Sequence, residues 1–190
     1  MKSLKYLILV LLISSCSIQK KNFEYYQKVP VKYAKKKVEY PNKDFSIFIP
    51  KNWQWKDEQY NHENLILGID AGSKPDNEGY LNIISIQKAK SFSGSSDLER
   101  EYEFYLKMLN QNPNSGKVDE SGLTNIFNAK TYFISTKPIN KNQIGTEMIM
   151  LLTESETEGV FYYLTGSVSQ TKDLETNKAI VIQSLATFKR

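Results

Sequence analysis

Apolar and polar residues alternate with a period of two along much of the chain, and the alternation marks strands. Val38 and Tyr40 lead into Pro41-Asn42-Lys43-Asp44, whose proline fixes φ while Asn and Asp tolerate turn conformations. Phe45, Ile47 and Ile49 then alternate until Pro50 stops the run, so the segment predicts a hairpin. Leu65, Leu67 and Ile69 alternate next, followed by a loop over 70–79 rich in Gly, Pro, Asn and Asp, and by a strand over 80–88. The period then lengthens. Leu98, Tyr102, Tyr105, Leu106 and Leu109 form a helical stripe, opened by the capping box Ser96-Asp97-Leu98-Glu99 and closed at Asn112-Pro113. Further strands are predicted over 117–125, 129–136, 144–153 and 159–168, the last two flanking a turn over 154–159. A closing helix over 171–187 places Leu174, Val181, Leu185 and Phe188 along one face.

Two of these strands set the architecture. Met148-Ile149-Met150-Leu151-Leu152 and Val160-Phe161-Tyr162-Tyr163-Leu164 are unbroken apolar runs. A strand with apolar residues on both sides is covered on both faces. One helix mid-chain and one at the end can supply that cover, so the pattern predicts an α+β protein. Its expected form is an α/β/α sandwich around a mainly antiparallel sheet of about six to seven strands. No internal repeat is evident.

The N-terminus has a different pattern. Lys2 and Lys5 precede an apolar run over 6–13, well short of the roughly twenty residues a membrane-spanning helix needs. It reads as the core of an export signal covering 1–15. The segment Ile13-Ser14-Ser15-Cys16 resembles the lipobox of bacterial lipoproteins. That resemblance implies a diacylated Cys16 thiol, cleavage before Cys16 and a membrane held through an N-terminal lipid anchor. An ordinary secretory signal with an incidental cysteine is the alternative reading. Cys16 is the only cysteine of the 190 residues, so the mature domain has no internal disulfide and depends on packing. Ser17 stands where Asp retains lipoproteins at the inner membrane of well-studied bacteria, so the outer membrane, with the domain facing the periplasm, is expected.

Charge refines the division. The whole chain carries +4; the signal holds two of those charges and residues 17–40 five, which leaves −3 on the remainder. Residues 16–37 read as the lipidated cysteine and a basic tether, able if flexible to span on the order of 25 Å. Because the domain itself is mildly acidic, nucleic acid is not an expected partner.

Phe45-Ser46-Ile47-Phe48-Ile49-Pro50, then Trp53, resembles the opening of PsbP-like domains, the superfamily that includes the nuclear-import factor Mog. The order of elements over 38–190 resembles that superfamily too, down to Ile182-Gln183-Ser184-Leu185 before a final aromatic. The resemblance implies a single α/β/α domain over 38–190. Members mostly bind other proteins, and no shared catalytic residues carry over.

Candidate chemistry is sparse. His62 is the only histidine, in the polar Asn61-His62-Glu63, and no glycine-flanked serine elbow accompanies it. Asp70, Asp76, Asn77 and Glu78 crowd one loop, but Gly72 and Lys74 stand where an EF-hand needs oxygen ligands. No metal site, cofactor or catalytic set is therefore assigned. The carboxylate neighbours Asp57/Glu58 and Asp119/Glu120 are weak candidates for glycoside chemistry. Glu154, Glu156 and Glu158 alternate across a hairpin tip and would share a face if the chain stayed extended. Trp53 is expected to be structural and Trp55 to be exposed, so the possible binding surface is Trp55 with Glu154, Glu156 and Glu158. The expected function is non-enzymatic: an envelope lipoprotein whose domain binds an unknown protein partner or assists complex assembly. A small-ligand carrier for lipid or glycan is the alternative, and a carboxylate-based hydrolase the third reading.

Overall fold

In the computed structural model the strands with unbroken apolar runs lie near the middle of a seven-stranded antiparallel sheet. The structure describes residues 21–41, 43–57, 62–112, 116–139, 145–170 and 172–190. The export signal, Cys16, Ser17, Asn42, Glu58, Asn61, Pro113 and Thr171 lie outside the described residues. The elements are α1 (Phe23–Lys28), β1 (Lys35–Tyr40), β2 (Phe45–Pro50), β3 (Gln54–Asp57), β4 (Leu65–Gly72), β5 (Ile83–Lys90), α2 (Leu98–Gln111), β6 (Lys117–Thr124), β7 (Thr131–Lys137), β8 (Glu147–Glu154), β9 (Val160–Val168) and α3 (Leu174–Leu185). Strand order is β3-β4-β5-β9-β8-β7-β6, and β1-β2 form a separate two-stranded hairpin. The fold is α+β, an antiparallel sheet covered on both faces, as the apolar runs require.

Alternation along β8 and β9 divides their side chains between two layers. Ile149, Leu151, Tyr162 and Leu164 are buried with Val181, Ile182 and Leu185 of α3 and with Phe45, Ile47 and Ile49 of the hairpin. On the other face, Leu152, Phe161 and Tyr163 are buried with Leu98 of α2, against which Tyr102 and Tyr105 also pack. Gly166 permits the close approach of α3, because a Cβ there would come within 2.3 Å of Val181 Cγ1. The C-terminus locks the hairpin: Ser46 N–H donates to the Lys189 carbonyl at 2.7 Å, and Lys189 N–H returns the bond at 2.9 Å.

The expected tether over 16–37 needs correction, because packed structure begins well before residue 38. Asn22 caps α1 by accepting from Tyr25 N–H at 2.9 Å. Phe23 and Tyr26, one turn apart, are buried in the main core. Phe23 stacks on Phe133 with centroids 4.5 Å apart. A helix of six residues offers too few apolar positions to register as a period, and its stability is tertiary. Gln183 ties its end down, donating to the carbonyls of Tyr26 at 3.0 Å and Val29 at 2.7 Å.

Three element boundaries also move. Asp97, not Ser96, caps α2 by accepting from Glu99 N–H at 2.7 Å, so Glu99 does not close a capping box. Asp70 lies within β4 rather than in the loop after it. The closing helix starts at Leu174, because Asp173 has φ 57° and interrupts helical geometry, and Phe188 is buried beyond its end.

If α1 belongs to the core, Phe23→Ala removes a stacked ring and costs about 3 kcal/mol. Urea unfolding of the chain without its signal measures this, and a spacer residue would show almost no change.

Candidate functional site

Helix α2 packs across β6, β7 and β8. On the same face, farther along the sheet, β3, β4 and β5 present Lys56, Asp70 and Ser85, which are exposed or half-buried. At this edge a cleft of about 450 Å³ is lined by Gln54, Lys56, Gly72, Leu81, Ile83 and Trp55, among others. Register places Trp55 beside Ala71, Ile84 and Gly166, the row that faces α3, while Gln54 and Lys56 point to the opposite face. The indole of Trp55 is 39% exposed and meets the Tyr40 ring edge-on at 6.2 Å, whereas Trp53 is 6% exposed. Lys36 Nζ donates to the Trp53 carbonyl, which pins the start of β3 to the hairpin. Trp53 is thus a core residue and Trp55 a rim residue.

The acidic hairpin tip lies elsewhere. Glu154 pairs with Phe161, five residues along β9 from the level of Trp55, or about 17 Å, and β3 is three strands from β9, or about 14 Å. Trp55 and the three glutamates therefore do not adjoin one another. Nor do the glutamates share a face, because the chain turns rather than staying extended, with Ser155 N–H donating to the Val160 carbonyl at 3.0 Å. Glu156 folds back to Lys88 at 3.3 Å, and Lys88 also meets Asp44 at 3.2 Å above the Tyr162 ring. Burial pushes the Glu156 carboxyl up, but hydrogen bonds from its own backbone and from Lys88 outweigh this and hold it below the usual carboxylate range. Glu154 and Glu158 remain exposed.

The other acidic candidates are occupied separately. Asp119 pairs with Lys137 at 2.8 Å, while its neighbour Glu120 accepts from Phe23 N–H at 2.9 Å. Asp76 Oδ1 accepts from the backbone of Glu78 at 3.0 Å and Tyr80 at 2.9 Å, a turn built by its own carboxylate. His62 is exposed, its ring 5.1 Å from Phe92 and its Nδ1 accepting from Asn64 N–H at 3.2 Å. Among the described residues no group of three or more His, Cys, Asp or Glu is arranged to hold a metal ion.

One buried carboxylate went unnoticed in the sequence. Glu101 of α2 is 0% exposed. It accepts from Ser91 Oγ at 2.5 Å, Phe92 N–H at 2.9 Å, Ser93 N–H at 2.9 Å and Tyr163 OH at 2.8 Å. Its signal was legible: position 101 lies between Leu98 and Tyr105 on the buried stripe, where an isolated acid needs donors. Burial raises this carboxyl, but the serine and backbone donors outweigh burial and bring it below the ordinary range. Burial and Glu101 push the Tyr163 phenol far up, so it stays a donor. The arrangement fastens the loop before α2 to the sheet.

Glu101→Gln is therefore expected to cost about 1–3 kcal/mol at neutral pH. Because the folded pKa lies below the unfolded value of about 4.3, the stabilisation is complete above that value and disappears as pH falls through the folded pKa. Urea midpoints of the two chains should converge below about pH 4. A constant gap from neutral to acid pH would contradict the assignment.

No protein-family model matches the sequence, and no curated protein matches it either. Among solved structures, the chain is similar to the Saccharomyces cerevisiae Ran-binding protein Mog1p, with TM-score 0.57 and 10% identity over 83% of this chain and 96% of that one. It is also similar to the cyanobacterial PsbP protein CyanoP from Synechocystis, with TM-score 0.57 and 10% identity over 85% and 95% of the two chains. At that identity the likeness is one of fold, and the chain has the PsbP/Mog architecture.

Proposed function

We propose that this chain is an envelope lipoprotein, anchored through Cys16, whose PsbP-like domain acts without catalysis by binding a protein partner or assisting complex assembly. The observation that carries the proposal is Ile13-Ser14-Ser15-Cys16, with the chain's single cysteine at the lipobox position behind a short apolar run. Two or more acyl chains, at roughly 0.8 kcal/mol per buried methylene, give stable anchoring. The reading divides the chain into a signal over 1–15, a lipidated Cys16 with a short basic linker, and one domain. Ser17 supports the outer membrane, with the domain facing the periplasm. A yeast protein of the same fold binds Ran, so this architecture can present a protein-binding surface. Among the described residues no helix is long and apolar enough to cross a membrane.

The exposed indole of Trp55 beside its cleft favours a second reading, a carrier for a lipid or glycan. The two readings part experimentally. A photo-crosslinker at position 55 or 158 should yield discrete protein adducts in cells if the first is right. A lipid or glycan that co-purifies with the domain and is lost in Trp55→Ala supports the second.

Cys16→Ala should move the protein from the membrane to the soluble fraction, and protease added to intact cells should leave the wild-type domain uncut. Membrane retention of Cys16→Ala would refute the anchor, and digestion in intact cells would refute the periplasmic orientation.

A further inference from the structure

The docking of α1 shortens the connection between the proposed anchor and the domain. Lys21 pairs with Glu175 in the first turn of α3 at 3.3 Å, and Tyr26 OH donates to the same carboxylate at 2.7 Å. Lys178, one turn on, is 6% exposed; it pairs with Glu147 at the start of β8 at 2.7 Å and lies over the Tyr26 ring at 4.7 Å. Lys21 is therefore held beside the start of α3. Cys16 precedes Lys21 by five residues, and five extended residues reach at most about 18 Å.

Strand register defines which end of the sheet this is. Glu147 pairs with Val168, and Lys137 pairs with Lys117, so β8 begins here while β7 and β9 end here. Lys172 and Ile139 are exposed at the same end, Ile139 by 58%. The opposite end holds the turn between β8 and β9, with Glu156 and Glu158. The nine residues of β9 separate the two ends by roughly 30 Å. Were the acidic turn directed at the bilayer, Lys21 would stand beyond the reach of an acylated Cys16.

We infer that the end of the sheet carrying Lys21, Lys137, Ile139 and Lys172 faces a phospholipid bilayer, and that the acidic turn with Glu158 points away from it. The inference rests on the lipid anchor at Cys16 and adds the orientation of the domain. It also assigns different neighbours to the two candidate surfaces. Trp55, level with Gly166 toward the end of β9, sits on the bilayer half of the domain, and Glu154, Glu156 and Glu158 are the side chains a soluble partner meets.

The only cysteine is consumed by lipidation, so a cysteine introduced elsewhere is the only free thiol. Ile139→Cys and Glu158→Cys, both at exposed positions, are each labelled with a fluorophore in the full lipidated chain. The chains are then reconstituted on phosphatidylethanolamine–phosphatidylglycerol vesicles carrying a headgroup-attached nitroxide. Quenching at position 139 should exceed that at 158 by roughly three-fold, given a separation comparable with the bilayer's own hydrocarbon thickness. A ten-residue glycine–serine insertion after Ser17 should abolish the difference. Equal quenching on vesicle-bound protein, or stronger quenching at 158, overturns the orientation while leaving the anchor intact. A lipidation-competent chain that does not bind vesicles overturns the anchor, and the orientation with it.

Discussion

The structure depends on the burial of one antiparallel pair, β8 against β9, on both of its faces. Ile149, Leu151, Tyr162 and Leu164 face one way; Met150, Leu152, Phe161 and Tyr163 face the other. Left uncovered, either row would expose a continuous apolar surface, so helices must lie on both sides. The consequences run outward from that pair. Helix α3 closes against Gly166, which has no side chain to hold it off, and the hairpin β1-β2 completes the same layer. Helix α2 closes the other face but covers mainly β6 to β8, and the cleft beside Trp55 lies at the far edge it leaves.

The polar groups are subordinate to this packing. The buried Glu101 carboxylate is compensated by four hydrogen bonds that hold the loop over 91–93 against β9. Lys178 is buried beside Glu147 and the Tyr26 ring, so the charge that could have destabilised α3 instead joins three elements. Both clusters use chemistry that, in a cleft, would invite a catalytic interpretation. Here every group has a structural partner.

Much of the fold was legible in the sequence because period and continuity report burial directly. The apolar runs of β8 and β9 called for two covering layers, and the stripe from Leu98 to Leu109 located α2. What stayed hidden depended on contacts distant in sequence. Phe23 and Tyr26 offer a single turn of apolar spacing, yet their partners, Phe133 and Glu175, lie more than a hundred residues away. The cap of α2 shifted by one residue because Ser96 and Asp97 are both competent caps, and sequence alone does not choose between them. The candidate surface was legible residue by residue but not as a unit: Trp55 is a rim residue and Glu158 is exposed, but register puts them at opposite ends of the sheet. That separation has a functional meaning only through the N-terminus, where six residues between Cys16 and Phe23 replace the long tether the lysine-rich composition suggested.

The proposed anchoring requires that the thiol at position sixteen carry lipid. Intact-mass spectrometry of the protein extracted from membranes tests it most directly. The expected species begins at Cys16 and is heavier than its polypeptide by a diacylglyceryl group, with or without a further acyl chain. A chain that still begins at Met1, or one that carries Cys16 unmodified, would contradict it.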